Sequence, residues 1–166
     1  MEIQLVRTET QAEHVRILAW EFVDWVNGRY PEMQEEIPQY MANQKFEEQI
    51  SDVRRYYSPP EGECLLAMKG DFPLGIVMLK KNSEKVCEMN RMFVRAEARG
   101  MGVAKALCDQ LVLRAQDLGY TSMFLVALDN HTEAIALYTS LGFVRENRSP
   151  DMVADNPRQV EMLMQL

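Results

Sequence analysis

A glycine turn at residues 99–104 is the segment of this chain best suited to chemistry. It reads Arg99-Gly100-Met101-Gly102-Val103-Ala104 and lies between an apolar run and a helical stretch. The first N–H groups of a helix have no intrahelical acceptor, and the helix dipole adds positive potential there. Glycine lets the backbone approach a ligand closely. The turn therefore predicts a phosphate-binding site.

The elements around this turn indicate an α/β (α+β) domain with a mixed sheet. Periodicity predicts strands at 3–6, 64–69, 74–80, 87–94, 122–128, 143–145 and 160–165. It predicts four helices, at 11–27, 38–57, 103–118 and 132–140, and Gly119 and Gly142 follow the last two as C-terminal caps. No linker or repeat interrupts the pattern, so a single domain over residues 1–166 is expected.

Composition indicates in which compartment the protein acts and which kinds of partner it binds. No apolar run is long enough to span a bilayer, and residues 1–7 do not resemble a secretory signal. Three cysteines without metal-ligand spacing predict buried, reduced thiols, so a cytoplasmic protein without membrane association is expected. The net charge of −7 argues against nucleic-acid binding and mildly favours cationic partners, although solubility alone is the stronger explanation.

A second motif follows the first at a characteristic distance. Arg99-x-x-Gly102-x-Ala104 matches the R/Q-x-x-G-x-G/A loop of the GNAT superfamily, the acyl-CoA-dependent N-acyltransferases. The string 134–143, Ala-Ile-Ala-Leu-Tyr-x-x-x-Gly-Phe, resembles the second signature of that superfamily. The resemblance is strong from Cys87 to Val144. It implies a mostly antiparallel, mixed central sheet flanked by about four helices.

The resemblance also implies acetyl-CoA as co-substrate, with no metal. The loop would wrap the pyrophosphate, while backbone groups on the preceding strand would hold the pantetheine arm. The expected cofactor-binding residues are Met92, Phe93, Val94, Arg99, Gly100, Met101, Gly102, Val103, Ala104, Lys105 and Asn130. His131 stands where many family members carry asparagine, so Asn130 is the substitute, although a helix N-cap is our preferred interpretation of Asn130. Arg95 and Lys105 are either phosphate ligands or solvated surface residues.

Two side chains are candidates for acid–base catalysis. Tyr138 matches the family tyrosine that donates to the CoA sulfur, and the alternative is a core-facing aromatic. Glu88 lies inside an apolar strand, where burial would favour a general base. The alternatives for Glu88 are an ion pair with Arg91 or another cation, or an exposed position. Strict strand alternation would place Glu88 and Arg91 on opposite faces unless a bulge intervenes.

These features predict an N-acetyltransferase that moves an acetyl group directly from acetyl-CoA to a primary amine of a small-molecule or peptide acceptor. No cysteine has a neighbouring base suited to a covalent acyl-enzyme. The alternatives are a non-catalytic CoA-binding regulatory module and a nucleotide-binding module of another fold. A homodimer is compatible with the resemblance. Tyr30, Tyr56, Tyr57 and the segment 149–157 are candidates to cover the acceptor site, and for that segment an ordinary surface loop is the preferred interpretation.

Overall fold

The computed structural model describes residues 1–146 and 158–166. Its strands are β1 (Glu2–Leu5), β2 (Gly62–Lys69), β3 (Phe72–Lys81), β4 (Val86–Val94), β5 (Ser122–Leu128), β6 (Val144–Arg145) and β7 (Gln159–Gln165). Its helices are α1 (Glu9–Arg29), α2 (Glu36–Asn43), α3 (Phe46–Ser51), α4 (Val53–Tyr56), α5 (Val103–Asp117) and α6 (Thr132–Ser140), with 3-10 turns at Pro31–Met33 and Ala96–Ala98. The expected mixed, mostly antiparallel sheet with flanking helices is confirmed.

The seven strands form one sheet in the order β1-β2-β3-β4-β5-β7-β6. Neighbours pair antiparallel except β4 and β5, which run parallel. Alternation along β2 explains how both faces are covered. Leu65 and Ala67 pack into the core beneath α5, whereas Cys64, Leu66 and Met68 pack into the core beneath α1, α3 and α4.

Local sequence accounts for where several helices begin and end. Thr8 caps α1 through its side chain and Gln11 completes a capping box, which the sequence analysis did not predict. The predicted helix 38–57 is wrong as one element, because it divides into α2, α3 and α4. The first break falls at Lys45, whose φ of 51° is incompatible with a continuing right-handed helix. The described chain therefore has six helices rather than about four.

A bulge in β4 determines which side chains share a face. Ile76 pairs with Phe93 but Met78 pairs with Asn90, so β4 contains an extra residue between these pairs. Arg91 lies there with φ of 52°. Its guanidinium stacks on Phe46 of α3, 5.0 Å from the ring centroid, on the α1–α4 face of the sheet. The bulge therefore brings Arg91 to the face that carries Glu88.

Candidate active site

The site begins where β4 and β5 separate. Only three residue pairs join these strands, Val86 with Ser122, Cys87 with Met123 and Glu88 with Phe124. β4 then continues to Val94 and β5 to Leu128 without pairing to each other. The divergence leaves a V-shaped cleft in which backbone groups of β4 face open space.

Pairing with β3 determines which β4 residues offer those groups. Arg95 donates its N–H to the carbonyl of Leu74, and the carbonyl of Phe93 approaches Gly75 so closely that a Cβ there would be 2.6 Å away. Because backbone groups alternate along a strand, those of Met92 and Val94 face the cleft. Of the three residues expected to hold a pantetheine arm, Met92 and Val94 direct backbone groups to the cleft, whereas Phe93 directs its carbonyl to β3.

The glycine turn has the geometry of an anion site. Gly100 and Gly102 have φ of 74° and 78°, and Gly102 is the N-cap of α5 without a side-chain cap. The first intrahelical bond runs from Ala106 N–H to the Gly102 carbonyl. The N–H groups of residues 103–105 precede this bond and, as the first donors of the helix, are available to a ligand.

Three basic side chains lie near this turn and differ in how firmly other residues hold them. Arg99 donates from Nε to the Val94 carbonyl at 3.1 Å, and its guanidinium lies 5.0 Å from the Trp25 ring centroid. Lys105 pairs with Asp109 one helical turn later, at an exposed position. Arg95 is held in a bidentate ion pair with Glu21 of α1. Arg99 and Lys105 are exposed and therefore accessible to phosphate, although Lys105 pairs with Asp109, whereas the Arg95 side chain is only 14% exposed.

A cavity of about 150 Å³ lies in the cleft between the diverging strands and helices α1, α2 and α6. Its lining includes hydrophobic side chains such as Phe22, Trp25 and Met41. The polar residues that line it are Tyr30, Glu36, Tyr40, Glu88, Asn90, Arg91, His131, Tyr138 and Gln159. The cavity thus brings together both predicted catalytic side chains and several polar residues that sequence analysis did not select.

Tyr138 contributes a neutral phenol to this cavity. It is 8% exposed and packs edge-on against Phe143, with ring centroids 6.0 Å apart. Burial raises the pKa of its hydroxyl well above 10.0, so the group is protonated at neutral pH. No hydrogen bond joins its hydroxyl to the residues that the structure describes. The phenol is therefore available as a donor to a ligand atom.

Glu88 lines the same cavity from β4. Its side chain is 13% exposed, and Oε2 lies 3.1 Å from Nζ of Lys80 on the neighbouring strand β3. The cation alternative considered for Glu88 is therefore realised by Lys80 rather than by Arg91. The pair leaves the carboxylate on the cavity wall, where it can accept a proton from a bound ammonium.

Three neighbouring polar side chains present buried atoms that lack partners. Within the described residues, no hydrogen bond of good geometry reaches Nε and Nη2 of Arg91, either amide atom of Asn90, or the Tyr30 hydroxyl. The Tyr57 hydroxyl nevertheless lies close to the Arg91 guanidinium, and the Arg29 guanidinium lies close to the Tyr30 hydroxyl. All three residues line the cavity. Native proteins seldom leave buried polar groups unpaired outside a functional site. The bulge in β4 and the end of α1 bring this set together, so no contiguous sequence motif could identify it.

Helix α6 has the predicted bounds, but its N-cap lies one residue later than predicted. Its N-cap is His131, with no side-chain cap hydrogen bond, so the capping role assigned to Asn130 is wrong. Asn130 is exposed in the turn before the helix. The His131 ring packs on Trp25 with centroids 5.2 Å apart, and burial lowers its pKa. His131 therefore lies in the cavity as a predominantly neutral ring at pH 7.

The tyrosines proposed to cover an acceptor have separate positions. Tyr30 lines the cavity, Tyr57 is buried beside Arg91, and Tyr56 hydrogen-bonds Glu48 outside it. The segment 149–157, proposed for the same purpose, lies outside the described residues.

The three cysteines are buried free thiols. Burial raises the pKa of Cys87 and of Cys108 to about 12, and that of Cys64 still further. Such thiols are poor nucleophiles at neutral pH. Across residues 1–146 and 158–166, no cluster of three or more His, Cys, Asp or Glu side chains could bind a metal ion. In the same ranges, no helix has the length and apolar character needed to cross a membrane.

Comparison with known proteins identifies the family. Residues 19–143 match the model of the acetyltransferase (GNAT) family, which is more than half of the chain. The protein belongs to the GNAT family, as the two sequence motifs indicated.

Individual relatives agree with this assignment. The chain is 34% identical over 102 residues to an uncharacterized N-acetyltransferase of Schizosaccharomyces pombe and 36% identical over 96 residues to an N-acetylaspartate synthetase of Xenopus tropicalis. These matches cover 60% and 57% of the chain, but only 63% and 35% of the relatives. The structure of the PaiA N-acetyltransferase of Thermoplasma acidophilum in complex with coenzyme A superposes with a TM-score of 0.73 at 15% identity, over 100% of both chains. That likeness supports the fold.

Proposed function

We propose that this protein is an N-acetyltransferase that moves an acetyl group from acetyl-CoA directly to a primary amine. The observation that carries the proposal is the open edge of β4, which lies between two other features. The three features are the first N–H groups of α5, next to Arg99 that donates to the Val94 carbonyl, the unpaired β4 backbone at Met92 and Val94, and the phenol of Tyr138 in the cavity that Met92 also lines. The first suits a pyrophosphate, the second an amide-containing arm, and the third a sulfur atom.

In this proposal the residues divide the chemistry between them. Glu88 accepts a proton from the acceptor ammonium, and the neutral amine attacks the thioester carbonyl. A backbone N–H of β4 at the cleft stabilises the oxyanion that develops. As the C–N bond forms and the C–S bond breaks, the Tyr138 phenol donates its proton to the departing sulfur, and the second proton of the amine nitrogen restores the phenol. Direct transfer is preferred because the raised pKa values of Cys87 and Cys108 disfavour an acyl-cysteine intermediate.

The acceptor in this proposal is a small amine. The cavity next to Glu88 is narrow and is walled by α1 and α2. One relative is named for the synthesis of N-acetylaspartate, an N-acetylated amino acid. We therefore include amino acids among the amines to be screened first.

Calorimetric titration with acetyl-CoA, and with ADP and NAD as controls, tests the cofactor part of the proposal. Selective binding of acetyl-CoA is the expected result. Equal binding of all three ligands, or no binding of acetyl-CoA, would contradict the proposal. A CoA-binding module without turnover would bind acetyl-CoA but acetylate no amine. In that case the wild type and Tyr138→Phe would bind acetyl-CoA with equal affinity.

An activity comparison tests the base. Replacement of Glu88 by glutamine is expected to lower kcat about 100-fold or more, which is the usual contribution of a positioned base. Glu84→Gln is the matched control, because Glu84 pairs with Lys81 at 2.9 Å on the exposed hairpin before β4. Equal activity of both variants would exclude Glu88 as the base.

A further inference from the structure

Arg91 is a buried cation without a counter-ion in the described part of the chain. The residue is 7% exposed, and no carboxylate of residues 1–146 or 158–166 forms a salt bridge with it. Its surroundings are the Phe46 ring, the Met41 sulfur at 3.8 Å from Nη1, and the Tyr57 hydroxyl, which lies within hydrogen-bonding reach of the guanidinium and itself donates to Gln49. A buried charge is costly unless an opposite charge or hydrogen-bond acceptors compensate it.

The atoms of Arg91 that lack partners form one recognition edge. Nε and Nη2 are both buried and unsatisfied, whereas Nη1 contacts sulfur. Nε–H and the Nη2–H next to it point in parallel from one side of the guanidinium plane. That side binds the two oxygens of a carboxylate through paired hydrogen bonds. Asn90 adds an unsatisfied amide on the same cavity wall.

The position of Glu88 completes the charge pattern. The bulge places Glu88 and Arg91 on one face of β4, and both line the cavity. The Tyr40 phenol lies close enough to feel both charges. Burial raises the pKa of Tyr40, while the Arg91 charge opposes this rise and the Glu88 charge adds to it. The β4 wall of the cavity thus carries a negative group and a positive group, and a molecule with an ammonium and a carboxylate matches both.

We infer that Arg91, assisted by Asn90, binds the carboxylate of an amine acceptor that is an amino acid or another amino carboxylate. The inference rests on the proposed acetyl transfer and names its substrate class. It adds a carboxylate to the cationic partners that the net charge mildly favours. Arg91 acts here as a binding residue, and Glu88 and Tyr138 retain the chemistry.

Acetylation of matched acceptors tests this subsite. The common amino acids and their α-amides are compared with acetyl-CoA in excess, at equal concentrations of neutral amine because the amides are weaker bases. The wild type is expected to favour at least one amino acid over its amide by about 30-fold or more in kcat/KM, the usual effect of a buried charge pair. Arg91→Gln is expected to reduce that preference to less than about threefold, because glutamine carries no charge to pair with the carboxylate.

Two further variants serve as controls for this test. Arg91→Lys keeps the charge but not the fork, so it should retain only part of the preference. Arg16→Gln removes one positive charge from α1, where Arg16 pairs with Glu9 and Glu13, and it should keep the full preference. Calorimetric titration with acetyl-CoA establishes that each variant is folded.

The outcomes separate the two proposals. Acetylation of amides as efficiently as amino acids would overturn the carboxylate subsite and leave acetyl transfer intact. A preference that survives in Arg91→Gln would also overturn it. Acetylation of no amine, despite binding of acetyl-CoA, would overturn both the subsite and the proposed function.

Discussion

Replacing Tyr138 by phenylalanine shows whether its hydroxyl takes part in catalysis or its ring serves only for packing. The hydroxyl makes no hydrogen bond to the described residues, so its removal leaves no stranded partner. We expect the free energy of unfolding to change by less than about 0.5 kcal/mol, as for a change that creates neither a cavity nor an unpaired polar group. We expect kcat to fall about 100-fold, which corresponds to about 2.7 kcal/mol of transition-state stabilisation.

Tyr120→Phe is the matched control for this change. The Tyr120 hydroxyl donates to the Glu61 carbonyl at 2.8 Å, and Tyr120 does not line the cavity. Its loss should cost about 1 kcal/mol of stability and lower Tm by about 2–4 °C. The kcat of Tyr120→Phe should match that of the wild type.

Steady-state assays of CoA release and thermal unfolding of the three proteins measure both effects. The expected result is a crossed pattern, in which Tyr138→Phe loses activity without stability and Tyr120→Phe loses stability without activity. Because burial raises the pKa of Tyr138, the wild-type rate should show no decline caused by this phenol below about pH 10. Wild-type kcat in Tyr138→Phe would refute the role of the phenol.

Other perturbations give further tests. Gly75→Ala should destabilise the fold by about 1–3 kcal/mol and weaken acetyl-CoA binding, because its Cβ would meet the Phe93 carbonyl at 2.6 Å. Gly28→Ala, with open space around its Cβ in α1, should instead stabilise by about 0.5–1 kcal/mol in urea unfolding. Arg91→Met should raise Tm by removing an unpaired buried charge, and a large fall would indicate a structural role. Stability should decline above pH 9, since Cys87 and Cys108 keep their protons when folded to about pH 12 but lose them above 9.0 when unfolded. Urea unfolding at pH 8 and 10.5 should reveal a loss of about 2 kcal/mol for each thiol, because the slope approaches about 1.4 kcal/mol per pH unit only above pH 9.

The sequence predicted the second half of the fold more accurately than the first. The bounds of β5 and α6 agree with the prediction, because Gly119 and Gly142 mark the ends of the helices on either side. The division of residues 38–57 was not predictable, because Lys45 is not a residue type that signals a left-handed conformation. Propensity and periodicity describe local preference, and this break results from packing of α3 onto the sheet.

The same distinction applies to the site. The phosphate turn is a contiguous motif with local physical causes, so its glycines and the free N–H groups of α5 could be predicted. The cavity wall formed by Tyr30, Tyr40 and Met41 depends on how α1 and α2 cross the sheet, which one sequence does not reveal. Arg91 required knowledge of a bulge, since alternation alone assigns it to the opposite face.

The short ladder between β4 and β5 has a consequence for how the protein opens. Three residue pairs connect a four-stranded unit, β1 to β4, with a three-stranded unit of β5, β7 and β6. Each unit has its own antiparallel hydrogen bonds, and a core that includes Val77, Met123 and Met162 also joins the two units. We expect local opening of the sheet to begin at this seam. A ligand pairing with β4 would act as a strand that bridges them. Amide hydrogen exchange at residues 86–94 and 122–128 would then slow on binding more than exchange in β1 to β3.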